Sequence, residues 1–191
     1  QHSPNRSSRG PATNCWCNLN HCELSTKIMT LRELTVADTV GYQALILYGL
    51  SEHAESFRIA AQDAGEPMVP FSSSRPDAFT LGAWLTEGQL VGVVSFERET
   101  RTKLRHKGLL YRMYVRADAS GRGIGRRLIQ ETIKRAREIE GLEQINLTVV
   151  ASNSRAKHLY SSVGFKSFAL EERALKMGET YYDEEQMALR L

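Results

Sequence analysis

From about residue 29 the chain alternates short apolar runs with stretches of helical spacing. Met29–Leu34 reads as a short strand. Thr35 or Asp38 is placed to cap a helix running to about Leu50, with Val36, Val40, Ala44, Leu47 and Tyr48 toward one face. A second helix is expected over Glu52–Ala64, ending before Gly65. The stretch Gly65–Asp77 holds three of the five prolines and the run Ser72, Ser73, Ser74, and reads as a loop. Strands are expected over Ala78–Thr86, Gln89–Glu99 and Leu109–Val115, with Glu87-Gly88 turning between the first two and the basic segment Arg98–Lys107 before the third. Gly123–Glu140 is a helix with Ile124, Leu128, Ile133 and Ala136 on one stripe, stopped by Gly141. Gln144–Val150 alternates as a strand, Ser152 or Asn153 caps a short helix to Ser162, and Phe165–Leu170 and Glu185–Leu191 are the last strands. The order predicts one α/β domain over 29–191: a mixed, mainly antiparallel sheet of about six to seven strands flanked by helices.

Composition narrows the class. The 191 residues are 41% hydrophobic and 25% charged, as in a globular chain with a sizeable core. A net charge of +3 is too small to argue for nucleic acid, and no partner of that kind is expected. No apolar run approaches the roughly 20 residues of a membrane span, so no membrane partner is expected and the expected location is cytoplasmic. Residues 1–28 show neither helical nor strand period and read as a leader outside the domain. Cys15, Cys17, His21 and Cys22 are soft donors, but the Cys-x-Cys spacing is tighter than structural zinc sites use, and no metal is expected. All three cysteines lie there, so the domain itself has no thiol nucleophile.

The chemical signal lies in residues 114–128, Tyr-Val-Arg-Ala-Asp-Ala-Ser-Gly-Arg-Gly-Ile-Gly-Arg-Arg-Leu. A strand ends, a turn with glycines at 121, 123 and 125 follows, and an amphipathic helix begins. Such a turn exposes the first amides of the helix, where the macrodipole favours negative charge, and a phosphate is the natural occupant. Arg122, Arg126 and Arg127 would strengthen it. No Lys-Ser or Lys-Thr follows as in a nucleotide P-loop, and the third glycine comes one place early for a dinucleotide fingerprint. A tight turn with no ligand remains the alternative on this motif alone.

A second cluster, Asn153-Ser154-Arg155-Ala156-Lys157-His158-Leu159-Tyr160-Ser161-Ser162-Val163-Gly164-Phe165, follows the next strand. Together the two resemble the GNAT superfamily of acetyl-CoA-dependent N-acetyltransferases. Gly123 and Gly125 match the glycines of its Gln/Arg-x-x-Gly-x-Gly/Ala motif. Asn153, Ala156, Leu159, Tyr160, Gly164 and Phe165 match Asn-x-x-Ala-x-x-Leu-Tyr-x-x-x-Gly-Phe. Ser120 departs, standing where the family has Gln or Arg. The resemblance covers about Met29 to Leu191 and implies a GNAT-like fold whose fourth and fifth strands part around the acetyl-pantetheine arm. Main-chain groups of Met113, Tyr114 and Val115 would pair with that arm. Amides of Gly121, Arg122, Gly123, Ile124, Gly125 and Arg126 would hold the pyrophosphate. Asn153 would contact the arm or adjacent chain, and Tyr160 would protonate the leaving thiolate.

The residues have their own logic beside this. A thiolate leaving group, with a thiol pKa near 8.5, benefits from a tyrosine proton donor of pKa about 10. A lysine-like amine is only about one part in a thousand neutral at pH 7, so a base or water must take its proton. The strand LLYRMYV has no carboxylate; Glu97 is the named base, with Glu99, Glu33, His106 and His158 as further candidates and a water chain as alternative. Acidic residues Glu171, Glu172, Glu179, Asp183, Glu184 and Glu185 form either an acceptor lip or an ordinary solvated surface; Tyr181 and Tyr182 either line it or pack. The expected activity is direct acetyl transfer from acetyl-CoA to a primary amine of a small molecule or protein, in a monomer or homodimer. A non-catalytic acyl-CoA sensor with the same cradle is the competing class.

Overall fold

Two runs with almost no polar position, Ala78–Trp84 and Leu90–Arg98, form β2 and β3, strands covered on both faces. Around them the computed structural model, which describes residues 29–60, 62, 70, 75–85 and 88–191, arranges β1 (Thr30–Glu33), α1 (Thr39–Glu52), β4 (Lys107–Val115), α2 (Ile124–Arg137), β5 (Gln144–Val150), α3 (Ser154–Ser161), β6 (Lys166–Met177) and β7 (Thr180–Arg190). The sheet has seven strands in the order β1-β2-β3-β4-β5-β7-β6. Every neighbouring pair is antiparallel except β4 and β5, which run parallel. The mixed, mainly antiparallel α/β sheet expected from the sequence is present. The leader, with Cys15, Cys17, His21 and Cys22, lies outside the described residues, as does most of the loop 65–77.

The two faces of the sheet carry separate cores. On one, Ile124, Leu128, Ile129 and Ile133 of α2, with Tyr160 of α3, pack on Leu81, Val94, Phe96, Leu110, Leu147 and Met187. On the other, Tyr42, Leu45, Ile46 and Leu50 of α1 pack on Leu34, Val93 and Tyr114. Thr80 and Ser95, buried register partners on β2 and β3, share a hydrogen bond of 3.0 Å.

The predicted stripe of α2 is its buried face, and Ile145, Leu147 and Val149 alternate inward on β5. The face of the first helix is corrected. Val40, Leu47 and Tyr48 are exposed, Val40 at 81%, as is Val36 in the turn before it, while Tyr42, Leu45 and Ile46 are buried. TVGYQALILYGLSE is apolar on nearly all sides, so spacing alone cannot choose which side meets Val93 and Tyr114.

The second helix is also corrected. His53 leaves the helical region at φ −143°, Ala54–Ser56 makes one tight turn, and Phe57 is extended at φ −114°, ψ 142°. Phe57 and Ile59 pack into the α1 core, which draws this segment across the sheet as a strap. The last two strands are far longer than expected. They meet in a two-residue turn in which Gly178 takes φ +59° and Met177 pairs with Thr180.

Gly108 tests this packing. An added Cβ would lie 2.4 Å from Cζ of the buried Phe96 ring and 3.3 Å from the Glu97 carbonyl oxygen. Gly108→Ala is expected to cost about 1–3 kcal/mol, read as a lower denaturant midpoint at unchanged slope. An unchanged midpoint would contradict the packing.

Candidate active site

β4 and β5 pair only at Lys107↔Gln144, Gly108↔Ile145 and Leu109↔Asn146. β4 then continues to Val115 and β5 to Val150 with no ladder between them. Their outer edges stay held, β4 by β3 through Gly92↔Val115 and β5 by β7 through Val150↔Glu184. The result is a wedge opening toward the C-terminal ends of both strands. Near its start β4 carries a bulge: Arg112 and Met113 together face the single β3 residue Val94, and Arg112 takes φ +49°. An extra residue of this kind bends a strand and re-aims its backbone.

The open end of β4 feeds the glycine turn. Gly121 and Gly123 hold φ of +78° and +72°, and an added Cβ at either would meet nothing within 4 Å. The left-handed backbone explains glycine there, and the space beside it is open. Gly123 is the residue before α2, and no side chain caps that helix. The Arg127 N–H bonds to the Gly123 carbonyl at 3.0 Å; the amides of Ile124, Gly125 and Arg126 precede the first intrahelical bond and have no intrahelical acceptor. The donor set fits a phosphate. Gly125 serves a different purpose: a Cβ there would meet Leu159 Cδ2 at 3.0 Å and Met113 Cε at 3.2 Å, so its absence lets α2, α3 and β4 converge.

The arginines divide by task. Arg122 and Arg127 are exposed at the turn. The Arg126 guanidinium is turned away and donates to Ser162 Oγ at 2.9 Å, leaving its backbone amide at the helix end. Arg116 is paired with Asp118 at 2.9 Å and holds that carboxyl below its usual range. Arg155, in the first turn of α3, donates through Nη2 to Ser120 Oγ. Sequence reasoning missed this residue: a guanidinium now reaches the position where the family has Gln or Arg, but from the next helix. Its only signal was its place two residues after Asn153.

The start of α3 lies at the same end. Asn153 caps α3 by accepting the Ala156 N–H at 3.0 Å, and its Nδ2 donates to Ser56 Oγ at 3.4 Å, tying the strap after α1 to the mouth of the wedge. Met113 packs on the α2 side of the sheet. The Tyr114 ring lies in the opposite core, 5.9 Å from Phe57, so only its main chain faces the wedge's edge. Tyr160 is 7% exposed, its ring edge-on to Phe165 at 6.0 Å. Burial pushes its phenol far up, and its hydroxyl has no hydrogen bond among the described residues.

The base candidates scatter. Glu97 lies at the closed end of the wedge, opposite Leu109. Its carboxylate accepts from Arg75 at 3.3 Å and from the Tyr111 hydroxyl at 3.4 Å. Burial, first, and the Glu97 charge hold the Tyr111 phenol well above its ordinary value. Glu33 is bound by Arg135 of α2 at 2.8 Å, away from the wedge. His158 is exposed. Of the acidic residues weighed as an acceptor lip, Glu184 is buried, on β7 beside Val150. An open groove along α2, lined by Gln130, Lys134, Arg137 and Ser162, holds none of these groups. Among the described residues no cluster of His, Cys, Asp and Glu converges as metal ligands would, and no helix is long and apolar enough to cross a membrane.

The comparisons agree with this geometry. A structure described as an acetyltransferase of the GNAT family from Streptococcus pneumoniae matches with TM-score 0.75 at 23% identity, covering 86% of this chain and 100% of that one. The yncA protein of Salmonella typhimurium, solved with its cofactor acetyl-CoA, matches with TM-score 0.67 at 19% identity, covering 86% and 94%. The mycothiol acetyltransferase of Propionibacterium freudenreichii is 39% identical over 61 residues, which is 32% of this chain and 19% of that protein. The chain therefore spans about a fifth of that relative in the matched part. The model of the Acetyltransferase (GNAT) family matches residues 46–165, more than half of the chain. A parallel strand pair that separates above an uncapped helix end, joined to that match, places the chain in the GNAT family of acetyltransferases.

Proposed function

We propose that the protein transfers the acetyl group of acetyl-CoA to a primary amine of a small molecule or protein by direct attack in a ternary complex. The observation that carries this reading is the wedge between β4 and β5, whose open end runs into the uncapped start of α2. When bound, acetyl-CoA supplies an activated acyl thioester. Everything else falls to the chain. The inner main-chain edge at Met113, Tyr114 and Val115, the one turned from β3, binds an amide-bearing arm as a strand edge binds a strand. The amides of Gly121 to Arg126 hold the diphosphate, with Arg122 and Arg155 adding charge. Asn153 fixes the start of α3 and the strap, and so the width of the mouth.

Tyr160 keeps its proton because burial disfavours the phenolate, so it donates to sulfur as the thiolate leaves. An arm laid along β4 from the glycine turn points from the mouth toward the closed end, where Glu97 and Tyr111 lie. Glu97 is already engaged by Arg75 and Tyr111, so it accepts the amine's proton through water rather than by contact. No cysteine occurs between residues 23 and 191, which argues against an acetyl-enzyme route through sulfur.

Three substitutions test these roles. Gly123→Glu places a carboxylate at the phosphates and is expected to abolish the thermal stabilisation by CoA; stabilisation equal to wild type would reject the cradle. Arg155→Ala is expected to weaken CoA binding about tenfold, the loss of one charge-assisted hydrogen bond, as measured by calorimetry. Tyr160→Phe is expected to leave CoA affinity within about twofold and to lower kcat about 100-fold; unchanged turnover would remove the acid role. CoA binding with no thiol release across a broad amine panel would favour the sensor.

A further inference from the structure

Most of the acidic C-terminal residues are spent or solvated. Asp183 accepts the Arg173 N–H at 2.7 Å. Glu185 is held by Lys157 of α3 and by Ser167, and both depress its pKa. Glu171 and Glu172 are exposed on β6 and Glu179 in the turn that follows it. Glu184 differs. It is 1% exposed, and among the described residues its Oε2 receives no hydrogen bond. Its counter-ion is Arg58, whose Nη2 lies 2.9 Å from that oxygen in ion-pair contact but without hydrogen-bond alignment. A buried carboxylate oxygen held by an ion-pair contact alone, without an aligned donor, has room for one.

The position is informative. Glu185 and Met187 face α2 and α3, so strand alternation turns Glu184 to the other face, where α1 and the strap lie. It pairs across the ladder with Val150, at the mouth of the wedge. The β6 strand bulges just beside it, between Glu171 and Leu175. Arg58 comes from the strap that Asn153 ties to this mouth through Ser56, and its side chain is 61% exposed. With the cofactor cradle and Tyr160 on the α2 side, an incoming amine has the α1 face to itself.

We propose that Glu184 and Arg58 form the acceptor subsite and that the acceptor is a zwitterionic amino acid, its ammonium on Glu184 and its carboxylate on Arg58. This rests on the acetyl-transfer reading above. An ammonium brings up to three donors and supplies the aligned hydrogen bond that Oε2 lacks. A lone cation, such as a polyamine or a protein lysine, would displace Arg58 and leave two positive charges side by side. An amino acid carries its own anion, and the alternation of charge is kept when the pair opens to admit it.

The test uses the full chain with acetyl-CoA and reads thiol release for a panel of α-amino acids, their amides and the corresponding decarboxylated amines. The acids are expected to show kcat/KM at least tenfold above the amides and amines. Arg58→Ala is expected to remove that preference by raising KM for the acids, with thermal stabilisation by CoA unchanged. Glu184→Gln is expected to lower kcat/KM at least tenfold for all of them. A purely structural ion pair would lower the melting temperature but leave the acid-to-amide ratio intact, and Arg58, being exposed, carries the test if the Glu184 variant does not fold. Amides equal to acids in the intact protein, or a ratio that survives Arg58→Ala, would overturn the proposal. If CoA binds and nothing is acetylated, the transfer reading fails separately; calorimetry of amino acids against their amides on CoA-loaded protein then decides the subsite, and no selective binding overturns it.

Discussion

Two parallel strands that stay joined for three residue pairs and then part leave rows of main-chain donors and acceptors facing each other across a gap too wide to bridge. Backbone polar groups beside a packed core are normally paired. Here β3 and β7 satisfy only the outer edges of β4 and β5, so the inner edges await something else. The rest of the site follows from that deficit. A ligand that completes it must be thin, extended and amide-bearing. Because β4 leads straight into the glycine turn, the same ligand's far end meets the free amides of α2. One disruption of the sheet therefore sets both the shape and the charge of what fits.

Much of this was legible from local rules. The α2 stripe, the β5 alternation and the strand-to-helix glycine turn each follow from spacing within one element, and local spacing survives folding. What escaped depends on contacts between elements. The buried side of α1 is chosen by Tyr114 and Val93, far away in sequence, because the helix itself is apolar nearly all round. The strap over 53–60 resembles a helix by composition but is pulled out of it by Phe57 and Ile59 seeking that core. Glu171, Glu172 and Arg173 disguise β6 because an edge strand tolerates charge that a central one does not. Arg155 reaches Ser120 from another element, a contact that no motif within either reveals.

The sheet also separates two electrostatic tasks by face. On the α2 and α3 side the available groups are donors: helix amides, Arg122, Arg127 and Arg155. On the α1 side the buried charge is a carboxylate, Glu184, with the exposed cation Arg58 beside it at the surface. In the proposed reading, an anionic cosubstrate and an acceptor that arrives as an ammonium approach from opposite faces of one gap and meet only inside it. Such a division limits the chance that either occupies the other's position.

It also bears on why no strong base is needed on β4. Glu97 stands at the closed end with Arg75 on one oxygen and Tyr111 on the other, so both of its oxygens are already engaged. A carboxylate that first binds the amine as its ammonium can lower the burden differently, by fixing the nitrogen against the thioester so that loss of a proton to water is followed at once by attack. Positioning of this kind is worth several powers of ten in effective concentration. In the proposed reading, catalytic power then resides in the wedge and the charge pair that flank the gap, and the strand between them is free to be apolar.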